Sequence, residues 1–163
     1  MTSFPSFDAR AFRSALGCFA TGIAVVTTVA PDGAPVGVTV NSFSSVSLDP
    51  PLVQFCLARS AGTLAAFSTA KSFVVNVLSA DQEDLSARFS RRDVDDRWAG
   101  VAQVPTDSGV PALAGCLATL DCDREHLLDG GDHVIVLGRV RALASREDGA
   151  PLLYFRGGYA RLG

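Results

Sequence analysis

Positive charge is scarce in this chain. Its 163 residues carry 14 lysine and arginine side chains against 17 acidic ones, a formal net charge of −3, so no excess exists to neutralise a phosphate polymer or an anionic bilayer. Nucleic acid and membrane are excluded as expected partners. Histidine is scarcer still, with two residues. The four cysteines, Cys18, Cys56, Cys116 and Cys122, form no CxxC pair, which leaves no metal site to expect. They sit in apolar or strand-like stretches and are expected to be buried free thiols. No run approaches the ~20 apolar residues of a membrane span, and residues 1–10 lack the basic, apolar and small-residue order of a secretory leader. The chain therefore reads as cytoplasmic. There is no GxGxxG after a first strand and no GxxxxGK[ST], so a doubly wound nucleotide fold and a phosphate-binding P-loop both lose support.

What is present suffices for one compact domain over residues 1–163. Hydrophobic residues make up 48% and charged ones 19%, a balance that excludes disorder and permits burial of roughly two-thirds of the unfolded surface. Asp8 is a plausible N-cap for a short amphipathic helix in which Phe12, Ala15, Leu16 and Phe19 form one face against a core, with Gly22 at or after its end. Residues 23–29 are rich in β-branched side chains, Pro31, Asp32 and Gly33 supply a turn, and residues 35–40 resume an extended pattern, which makes a hairpin. Strands are expected at 44–48 and 52–57, on either side of Asp49-Pro50-Pro51. A helix over 63–70, a buried strand over 73–78 and a helix over 82–89 capped by Ser79 or Asp81 follow. The polar stretch 90–97 leads to Trp98, and the segment to Pro111 reads as a long surface connection. Long strands are expected over 113–122 and 133–143 around a turn at 129–132, then a short pair over 152–155 and 159–162. Many strands and few helices argue for a mainly β fold, a closed antiparallel barrel whose openings the helices cover.

Three polar clusters ask for an explanation. From Thr39 to Ser47, six of nine side chains are small hydrogen-bonding groups, Thr39, Asn41, Ser42, Ser44, Ser45 and Ser47. They form either a solvated strand edge or a cradle for a planar polar ligand or its phosphate, with Gly37 allowing close backbone approach. Arg59, Ser60, Gly62 and Thr63 stand at a strand-to-helix junction, where Ser60 caps the helix or the group binds phosphate. Gly130, Gly131, Asp132 and His133, with Tyr154 to Tyr159 much later, are either a structural turn and a barrel closure or a second ligand surface. No Ser-His-Asp order and no carboxylate pair stands out as a hydrolytic device, so any chemistry is carried by a cofactor.

At these residues the sequence resembles a known family. Phe19-Ala20-Thr21-Gly22-Ile23-Ala24-Val25-Val26-Thr27-Thr28, the stretch from Thr39 through Asp49-Pro50-Pro51-Leu52-Val53, Phe73-Val74-Val75-Asn76-Val77-Leu78, Ser86-Ala87-Arg88-Phe89, Gly130-Gly131-Asp132-His133 and Pro151-Leu152-Leu153-Tyr154-Phe155-Arg156-Gly157-Gly158-Tyr159 together resemble the short-chain flavin reductases. Those enzymes serve two-component flavin monooxygenases. The resemblance implies a homodimeric FMN-binding split barrel that transfers a hydride from NADH or NADPH to FMN or FAD and passes reduced flavin to a partner monooxygenase. It also implies that Gly37, Val38, Thr39, Asn41 and Ser42 meet the isoalloxazine and ribityl portions, with Ser45 and Ser47 in the same serine-rich cradle. Cys56, Leu57 and Ala58 would line the other flank, and Gly62, Thr63, Arg88 and Phe89 the phosphate end. His133 would position the nicotinamide as the catalytic residue, with Tyr154, Phe155, Arg156 and Gly157 receiving the nucleotide. Many relatives carry a basic residue where this chain has Gly62, so Arg59 or Arg88 is expected to substitute. Ending at Gly163, the chain is expected to lack an extension over the nucleotide. A flavin carrier or sensor would share the cradle without needing His133 or Arg156.

Overall fold

A computed structural model describes residues 6–91 and 96–162. Residues 92–95 of the polar stretch before Trp98 lie outside the described residues, as do residues 1–5 and 163. The elements run in order α1 (Ala9–Leu16), β1 (Thr21–Gly22), β2 (Ala24–Val29), β3 (Pro35–Val40), β4 (Ser44–Leu48), β5 (Pro51–Ala58), α2 (Leu64–Thr69) and β6 (Ser72–Val77). They continue with α3 (Glu83–Ser90), β7 (Gln103–Val104), β8 (Ala112–Leu113), β9 (Ala118–Gly130), β10 (His133–Ser145), β11 (Leu153–Phe155) and β12 (Gly158–Ala160). The principal sheet has seven strands in the order β3-β2-β6-β9-β10-β5-β4, flanked by the small sheets β1-β11-β12 and β7-β8. All the strand pairs are antiparallel.

The hydrophobic pattern explains the layers. Along β5, Val53, Phe55 and Leu57 are buried while their neighbours are not, the period of two of a strand with one covered face. Strand β2 is buried on both faces, Ala24 and Val26 in one core cluster and Val25 in another, which is why it opens on an apolar run without alternation. The first cluster fills the concave side of the sheet, where the Phe55 ring meets Phe67 of α2 at 5.6 Å and Phe73 of β6 at 5.3 Å, edge to face. Gly138 on β10 permits this packing, because a Cβ there would stand 2.3 Å from Phe73 Cζ. The second cluster, with Ile23, Leu78, Phe89, Leu113 and Leu152, lies beneath α3.

A buried polar bridge ties the layers together. The Asn76 side chain is fully buried on β6. Its Nδ2 donates to the Val25 carbonyl at 2.9 Å and its Oδ1 accepts from the Leu113 N–H at 2.8 Å. Thr27 adds a hydroxyl bond to the Pro111 carbonyl at 2.7 Å. Strand β8 has two residues, too few to be held by its ladder alone, so these side chains supply the missing partners.

Several expectations need correction. Helix α1 is capped by the Asp8 carboxylate, which accepts from the Ala11 N–H at 2.7 Å, but it buries no residue and ends at Gly17 rather than near Gly22. Phe12, Leu16 and Phe19 are exposed, because no other element of the described chain covers that face. Neither Ser79 nor Asp81 is the N-cap of α3. Gln82 occupies that position, and its Oε1 accepts from the Ser79 N–H. The expected surface connection contains β7, paired with β8, and the expected strand 113–122 divides into β8 and the start of β9. Strand β9 then runs through charged residues as far as Gly130, because its backbone pairs there with the start of β10, whose Val134 and Val136 face the core. The seven-stranded ladder also has two edges, β3 and β4, where closure was expected. Among the thiols, Cys18 is exposed, on the uncovered α1 side. Burial pushes the Cys116 thiol up to about 11 and the Cys122 thiol up to about 12, so both stay protonated and unreactive at neutral pH.

Replacing Asn76 with Leu leaves the Leu113 N–H and the Val25 carbonyl without a side-chain partner inside the core. Urea unfolding should show a loss of about 3 kcal/mol, against under about 0.5 kcal/mol for an exposed control such as Glu147→Gln.

Candidate functional site

Where β3 approaches β5 without a ladder, a cavity of about 290 Å³ opens, lined by Val38, Thr39, Val40, Asn41, Ser42, Cys56, Leu57, Ala58, Gly62, Thr63, Phe89, Ser90, Arg97 and His133, among others. A second hollow of about 260 Å³ shares Thr39, Val40, Asn41 and Ser90 with it and adds Ile23, Ser86, Tyr154 and Tyr159. The two together fall within the ~300–1,000 Å³ of small-molecule sites.

The sheet edge builds the walls. The Ser42 hydroxyl accepts from the Cys56 N–H at 2.9 Å and donates to the Cys56 carbonyl at 3.3 Å. It thus tethers the end of the β3–β4 link to β5 in place of ladder bonds. The Thr39 hydroxyl donates to the Ser86 carbonyl at 2.7 Å, and the Tyr159 hydroxyl to Ser86 Oγ at 2.9 Å. Helix α3 is held over the sheet by these bonds. Gly37 serves the same packing, since a Cβ there would lie 2.6 Å from Phe89 Cε1, and it lines not this cavity but an outer groove of about 810 Å³ shared with Trp98. Phe89 in turn meets Trp98 edge to face at 5.1 Å.

The Thr63 hydroxyl is buried and has no hydrogen-bond partner in the protein. Thr63, and not Ser60, occupies the N-cap position of α2, and it makes no side-chain capping bond. A buried hydroxyl left unpaired costs stability unless something outside the chain satisfies it. With the Arg97 guanidinium lining the same cavity, the chemistry suits an anionic group on a ligand.

His133 opens β10 opposite Ala58 of β5. Its Nδ1 bonds Asp132 Oδ1 at 2.7 Å, which leaves Nε2 as its uncommitted ring nitrogen. The Asp132 carboxyl is held below its usual range by that bond and the charge of His133, with a smaller contribution from Arg13 of α1.

A family model for the flavin reductase like domain matches residues 16–163. The chain belongs to that family. It is 49% identical over 156 residues to the FMN reductase (NADH) SmoA of Agrobacterium fabrum, covering 94% of this chain and 86% of that one. It is 43% identical to the flavin-dependent monooxygenase reductase subunit HsaB of Rhodococcus jostii, covering 94% and 78%. Among solved structures, the NADH:FAD oxidoreductase SgcE6 of Streptomyces globisporus, in complex with NAD and FAD fragments, superposes with a TM-score of 0.90 at 36% identity, covering 96% and 93%.

For this family member, the structure gathers Val38, Thr39, Asn41, Ser42, Cys56, Leu57, Ala58, Gly62, Thr63, Phe89 and His133 around one cavity. Others of the expected residues stand elsewhere. Ser45 and Ser47 lie on the edge strand β4, apart from the cavity. Arg59 pairs with Asp129 at 2.5 Å and donates to the Gly131 carbonyl, while Arg88 donates to the Ala99 carbonyl at 2.7 Å. Neither lines the cavity. Arg97, part of the polar stretch 90–97 and not expected at the site, is the one arginine among the described residues that line the cavity. Tyr154 lines the second hollow, whereas Arg156 and Gly157 line another, with Arg13, Gly17 and Cys18. Phe155 is partly exposed, with the Arg156 guanidinium 5.1 Å from its ring centroid. Arg156 adopts φ 49° and its N–H donates to the Gly17 carbonyl at 2.9 Å, a left-handed backbone that a non-glycine residue keeps only when its surroundings hold it there.

Gly37→Ala should displace the Phe89 ring and cost about 1–3 kcal/mol. Thermal unfolding should record that loss, and flavin titration of the same variant a weaker Kd, because Phe89 is also a cavity wall.

Proposed function

We propose that this chain is an NAD(P)H:flavin oxidoreductase that reduces free FMN or FAD and supplies the reduced flavin to a separate flavin-dependent monooxygenase. The observation that carries this reading is the pair of adjoining cavities, with the unpartnered Thr63 hydroxyl and the Arg97 guanidinium at one end and His133 at the rim. SmoA, an FMN reductase (NADH), and HsaB, the reductase subunit of a flavin-dependent monooxygenase, support the same reaction class. The protein acts in the cytoplasm as a homodimeric split barrel. The exposed apolar face of Phe12, Leu16 and Phe19 supports a second copy as its cover. Among the described residues, no helix is long and apolar enough to cross a membrane.

When bound, flavin and reduced nicotinamide supply the redox chemistry, a hydride passing from one ring to the other. The chain contributes binding, orientation and electrostatics. Thr63 and Arg97 hold the flavin phosphate by a hydroxyl bond and a guanidinium contact. Asn41 and the outer edge of β3 supply polar groups for the isoalloxazine rim, and preorganised donors there stabilise the charge that reduction places on the ring. Cys56, Leu57 and Ala58 form the opposite flank. His133, fixed through Nδ1 by Asp132, keeps Nε2 for positioning the nicotinamide and moves no proton. Tyr154 in the second hollow, with Phe155, Arg156 and Gly157, meets the rest of the nicotinamide nucleotide.

The test follows absorbance at the nicotinamide band with NADH or NADPH as donor and FMN or FAD as acceptor. Donor oxidation that depends on added flavin is expected; flavin binding without donor oxidation identifies a carrier or sensor. His133→Ala should lower kcat/KM for NADH about tenfold while the flavin Kd changes less than about twofold. Thr63→Ala should raise the flavin Kd about tenfold and leave riboflavin, which has no phosphate, bound as before.

A further inference from the structure

A cavity of about 340 Å³ lies where the β7–β8 pair meets β9 and β10, and it shares no lining residue with the two cavities described above. Asp121 of β9 stands in its wall. The residue is 3% exposed; its Oδ2 accepts the Ser108 N–H at 3.1 Å, and its Oδ1 is buried without a hydrogen-bond partner. We propose that this cavity is a binding site for a small organic cation, a protonated amine on a short apolar body, with the ammonium group on the Asp121 carboxylate. The inference stands apart from the flavin reading, since it uses none of the same residues.

A buried carboxylate is costly unless a counter-charge or several donors meet it. Among the described residues, no lysine, arginine or histidine lines the cavity to supply that charge. The ladder itself withholds the nearest candidate. Directly opposed residues of an antiparallel pair share a face, so a regular register beyond Val140 and Cys122 would set Arg141 beside Asp121. A bulge in β10 sets Ala142 opposite it instead, and Arg141 pairs with Asp123 at 2.8 Å. Asp107, an exposed second carboxylate of the lining, adds charge of the same sign. An ammonium ligand supplies Oδ1 with both a donor and a positive charge.

The rest of the lining suits an apolar body. Short side chains, Ala112, Ala114, Ala142 and Ala144, keep the cavity open between Pro105 and Leu143, and its volume falls at the lower end of the ~300–1,000 Å³ of small-molecule sites. Thr106 stands in the same wall, but its hydroxyl is spent on the Val110 carbonyl at 2.6 Å. The carboxylate therefore fixes the ligand's charge, while the short walls limit its size to about one ring or a short alkyl chain.

The probes are benzylammonium, benzyl alcohol and benzoate, titrated at pH 7 against the full chain labelled with nitrogen-15. Benzylammonium should bind at least about tenfold more tightly than benzyl alcohol, benzoate should not bind, and the amide shifts should centre on Ser108, Gly115 and Leu143. Asp121→Asn, which keeps an acceptor for the Ser108 N–H, should weaken benzylammonium about tenfold and leave benzyl alcohol within about twofold. Ala144→Trp, at an exposed position of β10, fills the cavity without touching the carboxylate and should abolish binding of both. It keeps the proposal testable if Asp121→Asn does not fold. Equal affinities for benzylammonium and benzyl alcohol in the parent chain, benzylammonium binding unmoved by Ala144→Trp or by a folded Asp121→Asn, or shifts centred elsewhere overturn the site.

Discussion

The site depends on a sheet that curls without closing. Strands β3 and β4 remain edges of the seven-stranded ladder, and the outer backbone of β3 faces β5 across a cavity instead of pairing with it. Unpaired strand groups usually invite another chain. Here the Ser42 hydroxyl bonds both backbone groups of Cys56, which fixes the spacing between β5 and the link that follows β3 while leaving the stretch from Val38 to Asn41 available along one wall. A fully closed ladder would have left no such wall, and a freer edge would have had no defined width.

Two packing devices translate that opening into separate compartments. Helix α3 is pinned through Thr39, Ser86 and Tyr159, and the same residues line the second hollow. On the other side, Gly37, Phe89 and Trp98 form a continuous stack. Phe89 faces the first cavity and Trp98 the outer groove, so one aromatic contact sets the partition between them. The buried Asn76 bridge lies behind both, holding β8 and β2 to β6 so that α3 has a firm platform.

Much of this was legible before any coordinates. The hairpin of β2 and β3, the alternation along β5 and the capped helix at Asp8 follow from local chemistry, because turn residues, side-chain period and a capping carboxylate act within a few positions. Most of the cavity residues were recognisable from the ordered family motifs. Arg97 was not, since an arginine in a charged stretch carries no local sign of what it faces. The same holds for Arg59 and Arg88, whose guanidinium groups are committed to Asp129, Gly131 and Ala99. The length of β9 was also hidden: its charged half shows no apolar period, and it is a strand because β10 pairs with it.

By itself, then, the order of residues determined the mainly β class, the turns, the apolar faces and membership of a flavin-reducing family. All are set by short-range preference or by a motif that survives as a string. The tertiary structure decided which polar groups are left over for a ligand. Whether a hydroxyl or a guanidinium is spent inside the protein depends on partners dozens of residues away, as Thr39 is spent on Ser86 and Thr63 is not spent at all. Such pairing exists only once the sheet has brought its two edges together.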